Sequence, residues 1–321
     1  MLAMLMTAIG GWVIQSHDRP AARVMLLLML LALTTACSTL PTDVPVSAST
    51  AFLDDQETWL GRVFGEPIRA HRGKSGFEIL DTGRDALLVR LAAIAMAEQA
   101  IDLQYYIWNS DHAGRLMADR VLQAADRGVQ VRLLLDDFGT GDKDAPLSAM
   151  DAHPNIQVRI YNPNANRSGL AKWLAFIGEF GRLNQRMHNK SFIVDGSVAI
   201  VGGRNIGDEY FDLGEELNFR DRDLLAVGPI VSEIAAGFDA YWNSGRSFPV
   251  SSIADGGPGK DELPARRAAL RALVRTQPES AYALPENAAD ALGILENWRD
   301  GLVWAEADLL MLVLDGSRPM E

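Results

Sequence analysis

The sequence predicts an α/β fold with a mixed, largely parallel sheet flanked by helices. Residues 101–108 (IDLQYYIW) are aromatic and β-branched, which favours a strand, and apolar residues recur at helical spacing over Gly114–Arg127 until Gly128. Val129–Leu135 is then typical of a buried strand. A strand, a helix and a strand with short connections form a βαβ unit, whose strands are parallel.

Further elements extend this unit on both sides. Apolar residues at helical spacing between Asp81 and Ala100 predict a helix, for which Asp81 or Thr82 is the candidate N-cap. The same criteria predict a strand and two helices elsewhere: Ile156–Tyr161, a helix around 51–64, and a basic amphipathic helix around 264–275.

The composition excludes several classes of protein. Of 321 residues, 48% are hydrophobic and 22% charged, which excludes a disordered or fibrous chain. The 30 Lys and Arg against 42 Asp and Glu give a net charge of −12, so the chain is a poor ligand for nucleic-acid phosphates and we expect no nucleic-acid partner. A single cysteine, Cys37, excludes an intramolecular disulfide and a cysteine-based zinc cluster.

Residues 1–37 have the organisation of a targeting segment. Arg19 and Arg23 precede an apolar run at 24–36 (VMLLLMLLALTTA), which is shorter than the roughly 20 residues that a membrane span needs. Small residues then lead to Cys37, which resembles the lipidation site of a bacterial lipoprotein signal. We therefore expect a membrane-anchored lipoprotein of the cell envelope that faces the periplasm. An uncleaved short anchor and a plain signal peptide are the alternatives.

A β-hairpin with a polar end is predicted over residues 188–205. Asp195-Gly196 favours a two-residue turn, because these residue types tolerate the positive φ of a primed turn. That turn would place three pairs of residues opposite each other: Val194 and Ser197, Lys190 and Val201, His188 and Gly203. Because side chains alternate along a strand, His188 and Lys190 share one face. The same end of the hairpin gathers three more polar or small residues: Gly202, Gly203 and Asn205.

These residue types would form a small anion pocket that contains a nucleophile. A neutral imidazole at His188 can attack phosphorus and carry the phosphoryl group covalently. Lys190 and Asn205 would bind the non-bridging oxygens, and the two glycines would let backbone N–H groups approach them. Asp195 lies at the turn, about 23 Å of strand away from His188, and is expected to support the fold.

The pattern HxK(x4)D(x6)GGxN resembles the signature of the phospholipase D superfamily. Its members here are His188, Lys190, Asp195, Gly202, Gly203 and Asn205. Five stretches resemble the bacterial cardiolipin synthase C-like branch: IDLQYYIW, AADRGVQVRLLLDD, MDAHPNIQVRIYNP, RMHNKSFIVDG and VGGRNIGDEYF. The likeness runs from about Ser75 to Val250. It implies a phospholipase D-like half that transfers a phosphatidyl group between phospholipids, or hydrolyses a phospholipid, through a phosphohistidine and without a metal or cofactor.

The superfamily also implies an acid, shortly after the motif, that orients the nucleophilic histidine. Asp221 matches that position, because it precedes a predicted strand at Leu224–Val227. Glu216 is the second candidate. The alternative is that both are solvated carboxylates of an acidic loop.

The same resemblance divides the chain into segments. Residues 38–50 are rich in Ser, Thr and Pro and are expected to form a tether to the membrane. Residues 51–250 are expected to be the catalytic half. Residues 251–321 are expected to be a linker (ADGGPGKDELP) and the truncated start of a second half.

The sequence has one motif, whereas the superfamily pairs two across a pseudo-two-fold. In such a pair, one histidine attacks and the other protonates the leaving alcohol. Three outcomes therefore stay open: a homodimer supplies the second histidine, the chain is a catalytically inactive half-enzyme, or one half retains weak activity. A dimeric phosphodiesterase that acts on nucleic acid is a further alternative, which the net charge disfavours.

Two other groups of residues give less specific signals. Asp136 and Asp137 are a candidate metal pair, but carboxylates at strand ends commonly cap the next element, so no metal site is expected. Residues 167–190 combine basic and aromatic side chains. They would either contact phospholipid or cover the sheet as an ordinary amphipathic helix.

Overall fold

The computed structural model shows a mixed β-sheet with helices packed on it. The structure describes residues 40–41, 44, 46–53, 57–140, 143–165, 185–254, 263–276, 285 and 288–311. The expected targeting segment 1–37, with Cys37, and most of the basic-aromatic stretch 167–190 lie outside these residues. Within the described ranges, no helix combines the length and the apolar character needed to cross a bilayer.

The helices and strands alternate through most of the chain. The helices are α1 (Trp59–Ala70), α2 (Gly83–Met96), α3 (His112–Asp126), α4 (Asp144–Asp151), α5 (Ile230–Trp242), α6 (Val250–Ile253), α7 (Leu263–Thr276) and α8 (Ala288–Asp300). The strands are β1 (Ser75–Leu80), β2 (Ala100–Tyr105), β3 (Gln130–Asp136), β4 (Ile156–Tyr161), β5 (Ser191–Val194), β6 (Val198–Gly202), β7 (Asp223–Val227), β8 (Ser247–Pro249) and β9 (Val303–Ala305). Their order in the sheet is β8-β4-β3-β2-β5-β6-β7-β1-β9.

The sheet joins a parallel part to an antiparallel part. β2, β3 and β4 are parallel, with α3 and α4 as the crossover helices, and this confirms the predicted βαβ organisation. The other described pairings, which involve β1 and β5 to β9, are antiparallel. The α/β class and the mixed, helix-flanked sheet are therefore confirmed. The parallel part covers three strands, β2, β3 and β4, and of the antiparallel pairs β5 and β6 are joined by a tight turn.

The predicted element boundaries hold where a cap or a strong pattern marks them. β4 spans the predicted residues Ile156–Tyr161, and α2 begins after Thr82, whose hydroxyl accepts a hydrogen bond from the Asp85 N–H. The helix expected around 51–64 instead begins at Trp59. Thr58 is its N-cap and accepts from the Gly61 N–H, so the cap rather than the apolar pattern determines where this helix starts.

The central strands are buried on both faces and contain paired charges. β5 is fully buried, and β3 is buried except at its first residue. Arg132 on β3 binds both oxygens of Asp102 on β2, at 2.6 and 2.8 Å. A charge inside a sheet is tolerated when a partner of opposite charge and good hydrogen-bond geometry lies beside it.

Part of the expected tether lies against the folded domain. Arg159 donates to the Ser47 carbonyl at 2.7 Å, and Arg132 donates to the Ser49 carbonyl at 3.1 Å. The Trp242 indole N–H donates to the Ser49 hydroxyl at 2.9 Å. The chain around Ser47 and Ser49 is therefore held on β3, β4 and α5.

The described residues after Ile253 also pack on this domain. Arg267 of α7 pairs with Asp126 of α3 at 2.7 Å, and Leu295 of α8 is fully buried in the main hydrophobic core. β9 adds an edge strand, with Trp304 opposite Gly76 of β1. These elements, which lie in the segment expected to start a second half, thus pack on the same sheet and core as the residues before them.

Candidate active site

The motif residues lie on the β5–β6 hairpin, whose register differs from the prediction by one residue. Val194 pairs with Val198 instead of Ser197, so the expected pairs of Lys190 with Val201 and His188 with Gly203 were wrong. The loop has three residues, since Asp195 and Gly196 have positive φ and the Ser197 N–H donates to the Val194 carbonyl. The Asp195 N–H donates to Ala100 of β2, and this contact explains the extra loop residue.

Asp195 is fully buried and binds the backbone at the start of β2. Its carboxylate accepts hydrogen bonds from the N–H groups of Glu98, Gln99 and Ala100 at 2.8–2.9 Å. Burial raises its pKa, and these three hydrogen bonds oppose that effect. The hydrogen bonds that the Asp195 carboxylate accepts all lie at the turn, at the opposite end of β5 from His188.

His188 and Lys190 form the reactive end of the hairpin. His188 is exposed, while Lys190 is buried. The Lys190 Nζ lies 3.0 Å from Nδ1 and 3.3 Å from Nε2 of His188, and donates to the His188 carbonyl at 2.6 Å. The Tyr106 ring lies 4.9 Å from the imidazole and 5.4 Å from the ammonium, and Phe138 stacks on Tyr106. An accessible imidazole is thus held beside a desolvated cation.

The electrostatics of this pair favour a neutral imidazole. Partial burial and the Lys190 ammonium lower the pKa of His188, and Asp221 opposes them. Burial lowers the pKa of Lys190 to about 8, although the carboxylates of Asp221 and Asp136 raise it. Near pH 7, His188 therefore has a free ring lone pair while most Lys190 side chains stay protonated.

Asp221 lies beside the hairpin end, and Gly203 makes room for it. A Cβ atom at position 203 would lie 2.8 Å from Oδ1 of Asp221, which is closer than real Cβ contacts allow. Asp221 acts on the pKa of both His188 and Lys190, whereas Glu216 is exposed and does not appear among the groups that shift them. Of the two candidate acids, Asp221 is the one near the imidazole.

The GGxN segment is hydrogen-bonded within the protein. The Gly203 N–H, which was expected to approach phosphate, donates instead to the Arg222 carbonyl at 3.2 Å. Asn205 accepts from the Ile107 N–H through Oδ1 and donates to the Tyr210 hydroxyl through Nδ2, both at 3.0 Å. The glycines therefore permit close packing of the acidic segment that follows, and Asn205 joins the end of β2 to the motif.

A buried network of charged residues lies next to the GGxN segment, and the sequence did not predict it. Arg90 binds Asp223 at 2.8 Å and the Tyr105 hydroxyl at 3.2 Å. Arg204, inside the GGxN motif, lies 3.6 Å from the same carboxylate. Gly202 is opposite Asp223 in the β6–β7 pairing, so the network fixes the strand from which the motif continues. No sequence spacing indicates it, because its members come from four separate elements.

Asp136 also belongs to the site. It is fully buried at the end of β3 and accepts from the N–H groups of Phe138 and Met187, both at 2.8 Å, and from Arg186 at 3.2 Å. Burial raises its pKa to about 6. Asp137 turns away to accept from the Asn164 N–H. Within the described residues, no group of three or more His, Cys, Asp or Glu is placed to hold a metal ion.

Comparisons with known proteins identify a family and several relatives that this chain resembles. The family described as "Cardiolipin synthase, PLD-like domain" matches residues 91–242. Cardiolipin synthase C of Escherichia coli (strain K12) is 47% identical over 199 residues, which are 61% of this chain and 42% of that protein. The major cardiolipin synthase ClsA of Bacillus subtilis (strain 168) is 32% identical over 167 residues, 52% of this chain and 33% of that protein. Among solved structures, NucT from Helicobacter pylori has a TM-score of 0.41 and 16% identity, and covers 55% of this chain and 98% of that one.

Residues 91–242, which contain the β5–β6 hairpin and its histidine, form a phospholipase D-like domain. Over this region the chain is similar to the bacterial cardiolipin synthases. The chain spans less than half the length of the curated relatives that it matches: 42% of cardiolipin synthase C, and 43% and 46% of two uncharacterised proteins of Helicobacter pylori.

Proposed function

We propose that this protein transfers a phosphatidyl group between phospholipids, or to water, through a phosphohistidine at His188. The observation that carries the proposal is the exposed imidazole held 3.0 Å from a buried ammonium, with the Asp221 carboxylate beside both. The activity in the names of the Escherichia coli and Bacillus subtilis relatives supports the phospholipid substrate.

The proposed reaction has two displacements at phosphorus. A neutral His188 nitrogen forms a bond to phosphorus, and the bond from phosphorus to the leaving alcohol oxygen breaks, with its electron pair passing to that oxygen. An acceptor hydroxyl, from a second lipid or from water, then attacks the phosphorus. Its proton passes to the group that protonated the leaving alcohol, and the P–N bond breaks to release the neutral imidazole. Lys190 would balance charge on the non-bridging oxygens, and Asp221 would hold the imidazole in position.

The leaving alcohol needs a proton, which a second histidine would supply. We propose that a second copy of the chain provides it, with the two hairpin ends facing each other. General-acid catalysis contributes about 10²–10⁴-fold, so a chain without that partner would be slower by a similar factor. The catalytically inactive half-enzyme and the nucleic-acid phosphodiesterase are the alternatives that the experiment below separates from this proposal.

The cellular placement that we propose follows the targeting segment. Lipidation at Cys37 would anchor the protein to the envelope membrane, facing the periplasm, so that residues 51–250 act on lipids of that membrane. Since the chain around Ser47 and Ser49 is bound to the domain, the tether would be shorter than residues 38–50.

The test is lipid synthesis by the purified full chain in detergent with phosphatidylglycerol vesicles. We expect formation of cardiolipin or phosphatidic acid by the wild type, loss of both in His188→Gln, and unchanged rates in His112→Gln, a matched histidine at the first position of α3. Light scattering on the same sample reports the oligomeric state. A wild-type dimer without turnover would identify an inactive half-enzyme, and turnover of oligonucleotides alone would identify a nuclease. Normal synthesis by His188→Gln would refute the proposed nucleophile.

A further inference from the structure

A cavity lies between α3, α4 and α7. It has a volume of about 360 Å³. Apolar side chains from all three helices line it, among them Ala118, Leu122, Leu147, Met150, Leu270 and Leu273. His188, Lys190 and Asp221 do not line it, so this cleft is separate from the candidate active site.

The size and lining of the cleft suit a hydrocarbon chain. Small-molecule sites range over roughly 300–1,000 Å³ and are mostly apolar, so this cleft falls at the lower end, where one chain fits better than two. Leu273 is 47% exposed at the cleft, and Ala118 and Leu270 pack on the main core. Burial of these surfaces by an apolar ligand is favourable in proportion to the area removed from water.

The charges around the cleft have one sign. The described residues that line it include four charged groups, and all are basic: Arg115, Lys143, Arg266 and Arg267. This is unexpected in a chain of net charge −12. Arg267 pairs with Asp126, while the Arg115 guanidinium makes no hydrogen bond or ion pair with any residue that the structure describes. The rim therefore offers a cation that an anionic ligand would neutralise.

We propose that this cleft binds one acyl chain of an anionic phospholipid, with the phosphate at Arg115 and α7. Guanidinium groups suit phosphate because they present several donors to its oxygens. The second acyl chain would stay in the bilayer, and the basic helix α7 would lie at the lipid surface. The site goes beyond the proposed reaction, since it would hold a lipid that is not bound at His188.

The experiment measures quenching of Trp108, which lines the cleft and is nearly buried. The full chain is titrated with vesicles of phosphatidylglycerol that is brominated on its acyl chains. The chain has seven tryptophans, and all of them fluoresce. The quenching of Trp108 is therefore taken as the difference between the wild type and Trp108→Phe. Two variants perturb the cleft: Ala118→Phe fills it, and Arg115→Gln removes its unpaired cation. Their matched controls are Ala272→Phe on the exposed part of α7 and Arg120→Gln on α3, neither of which lines the cleft.

We expect saturable quenching, which Ala118→Phe abolishes. Arg115→Gln should weaken the affinity for the vesicles about fivefold, because one cation near an anionic surface contributes roughly 1 kcal/mol. Both controls should bind like the wild type. His188→Gln should also bind normally, so failure of the proposed reaction and failure of this site give different results. Equal quenching in Ala118→Phe, equal affinity for brominated phosphatidylcholine, or binding of free brominated stearate without binding of the vesicles would each overturn the proposal.

Discussion

The Lys190 Nζ lies 3.0 Å from Nδ1 of His188 and donates to the His188 carbonyl, so the two residues of the motif form one unit. The ammonium is desolvated by burial, while the imidazole stays accessible. The Lys190 ammonium lowers the pKa of His188, because two like charges at this distance would repel, and burial lowers the pKa of Lys190. The nucleophilicity of His188 therefore depends on the same ammonium that would balance charge on the phosphate.

The first prediction concerns the pH dependence of phosphatidyl transfer. With a donor whose leaving group needs no proton, such as a p-nitrophenyl ester of phosphatidic acid, the rate should rise as His188 loses its proton, below the ordinary value of 6.5, and fall as Lys190 loses its proton near its pKa of about 8. Lys190→Arg should keep the acidic limb and move the basic limb to higher pH, because a guanidinium stays protonated. Initial rates between pH 5 and 10 measure this. A basic limb that stays near 8 in Lys190→Arg would assign it to another group.

The second prediction concerns the acid near the imidazole. Asp221→Asn removes the carboxylate that would hold the imidazole in position and balance the positive charge that His188 gains when it bonds to phosphorus, and should lower kcat by at least about 100-fold with little change in KM. Glu216→Gln is the matched control, since Glu216 is exposed and does not shift the pKa of His188. Steady-state kinetics on both variants provide the comparison. Equal losses in the two variants would contradict the assignment of Asp221.

The third prediction concerns Gly203. A methyl group at position 203 would lie 2.8 Å from Oδ1 of Asp221, so Gly203→Ala should displace the carboxylate and reduce kcat as Asp221→Asn does. Because both changes act on one group, the double variant should be no slower than Asp221→Asn alone. Gly245→Ala, where a methyl group meets no atom within 4 Å, should retain full activity. Additive losses in the double variant would show that the two residues act independently.

The fourth prediction concerns stability. Arg132→Met leaves Asp102 buried without its bidentate partner and should cost about 3–5 kcal/mol in the free energy of unfolding. Arg299→Met removes an exposed ion pair on α8 and should cost less than about 1 kcal/mol. Equilibrium unfolding in urea measures both changes, with one slope of free energy against urea concentration used for all variants. The prediction for Arg132 is wrong if Arg132→Met and Arg299→Met have similar midpoints.

Much of the framework could be predicted from the sequence, because local signals determine it. β4 occupies its predicted residues, Thr82 caps α2 as expected, and α7 forms where the basic amphipathic pattern lies. The motif could be located because its fixed residue types are close in sequence. Asp221 was a candidate because the superfamily resemblance implies an acid after the motif, and the structure places its carboxylate where it acts on the pKa of His188.

The remaining features depend on contacts between distant elements. The hairpin register shifted because Asp195 binds the start of β2, about 95 residues earlier, which an Asp-Gly turn signal does not reveal. The glycines of the motif accommodate acidic side chains from the β7 segment instead of exposing their N–H groups. Asp136, a weak metal candidate in the sequence, supports the chain next to His188 because the fold brings Met187 to the end of β3.

The most direct test of the proposed chemistry is to trap the covalent intermediate. The full chain is incubated with phosphatidylglycerol labelled at phosphorus, quenched without acid because phosphohistidine is acid-labile, and mapped by peptide mass spectrometry. We predict acid-labile label on the peptide that contains His188, present in His112→Gln and absent in His188→Gln. Lipid transfer that proceeds with no label at His188, or with label at another residue, would contradict the assignment of His188 as the nucleophile.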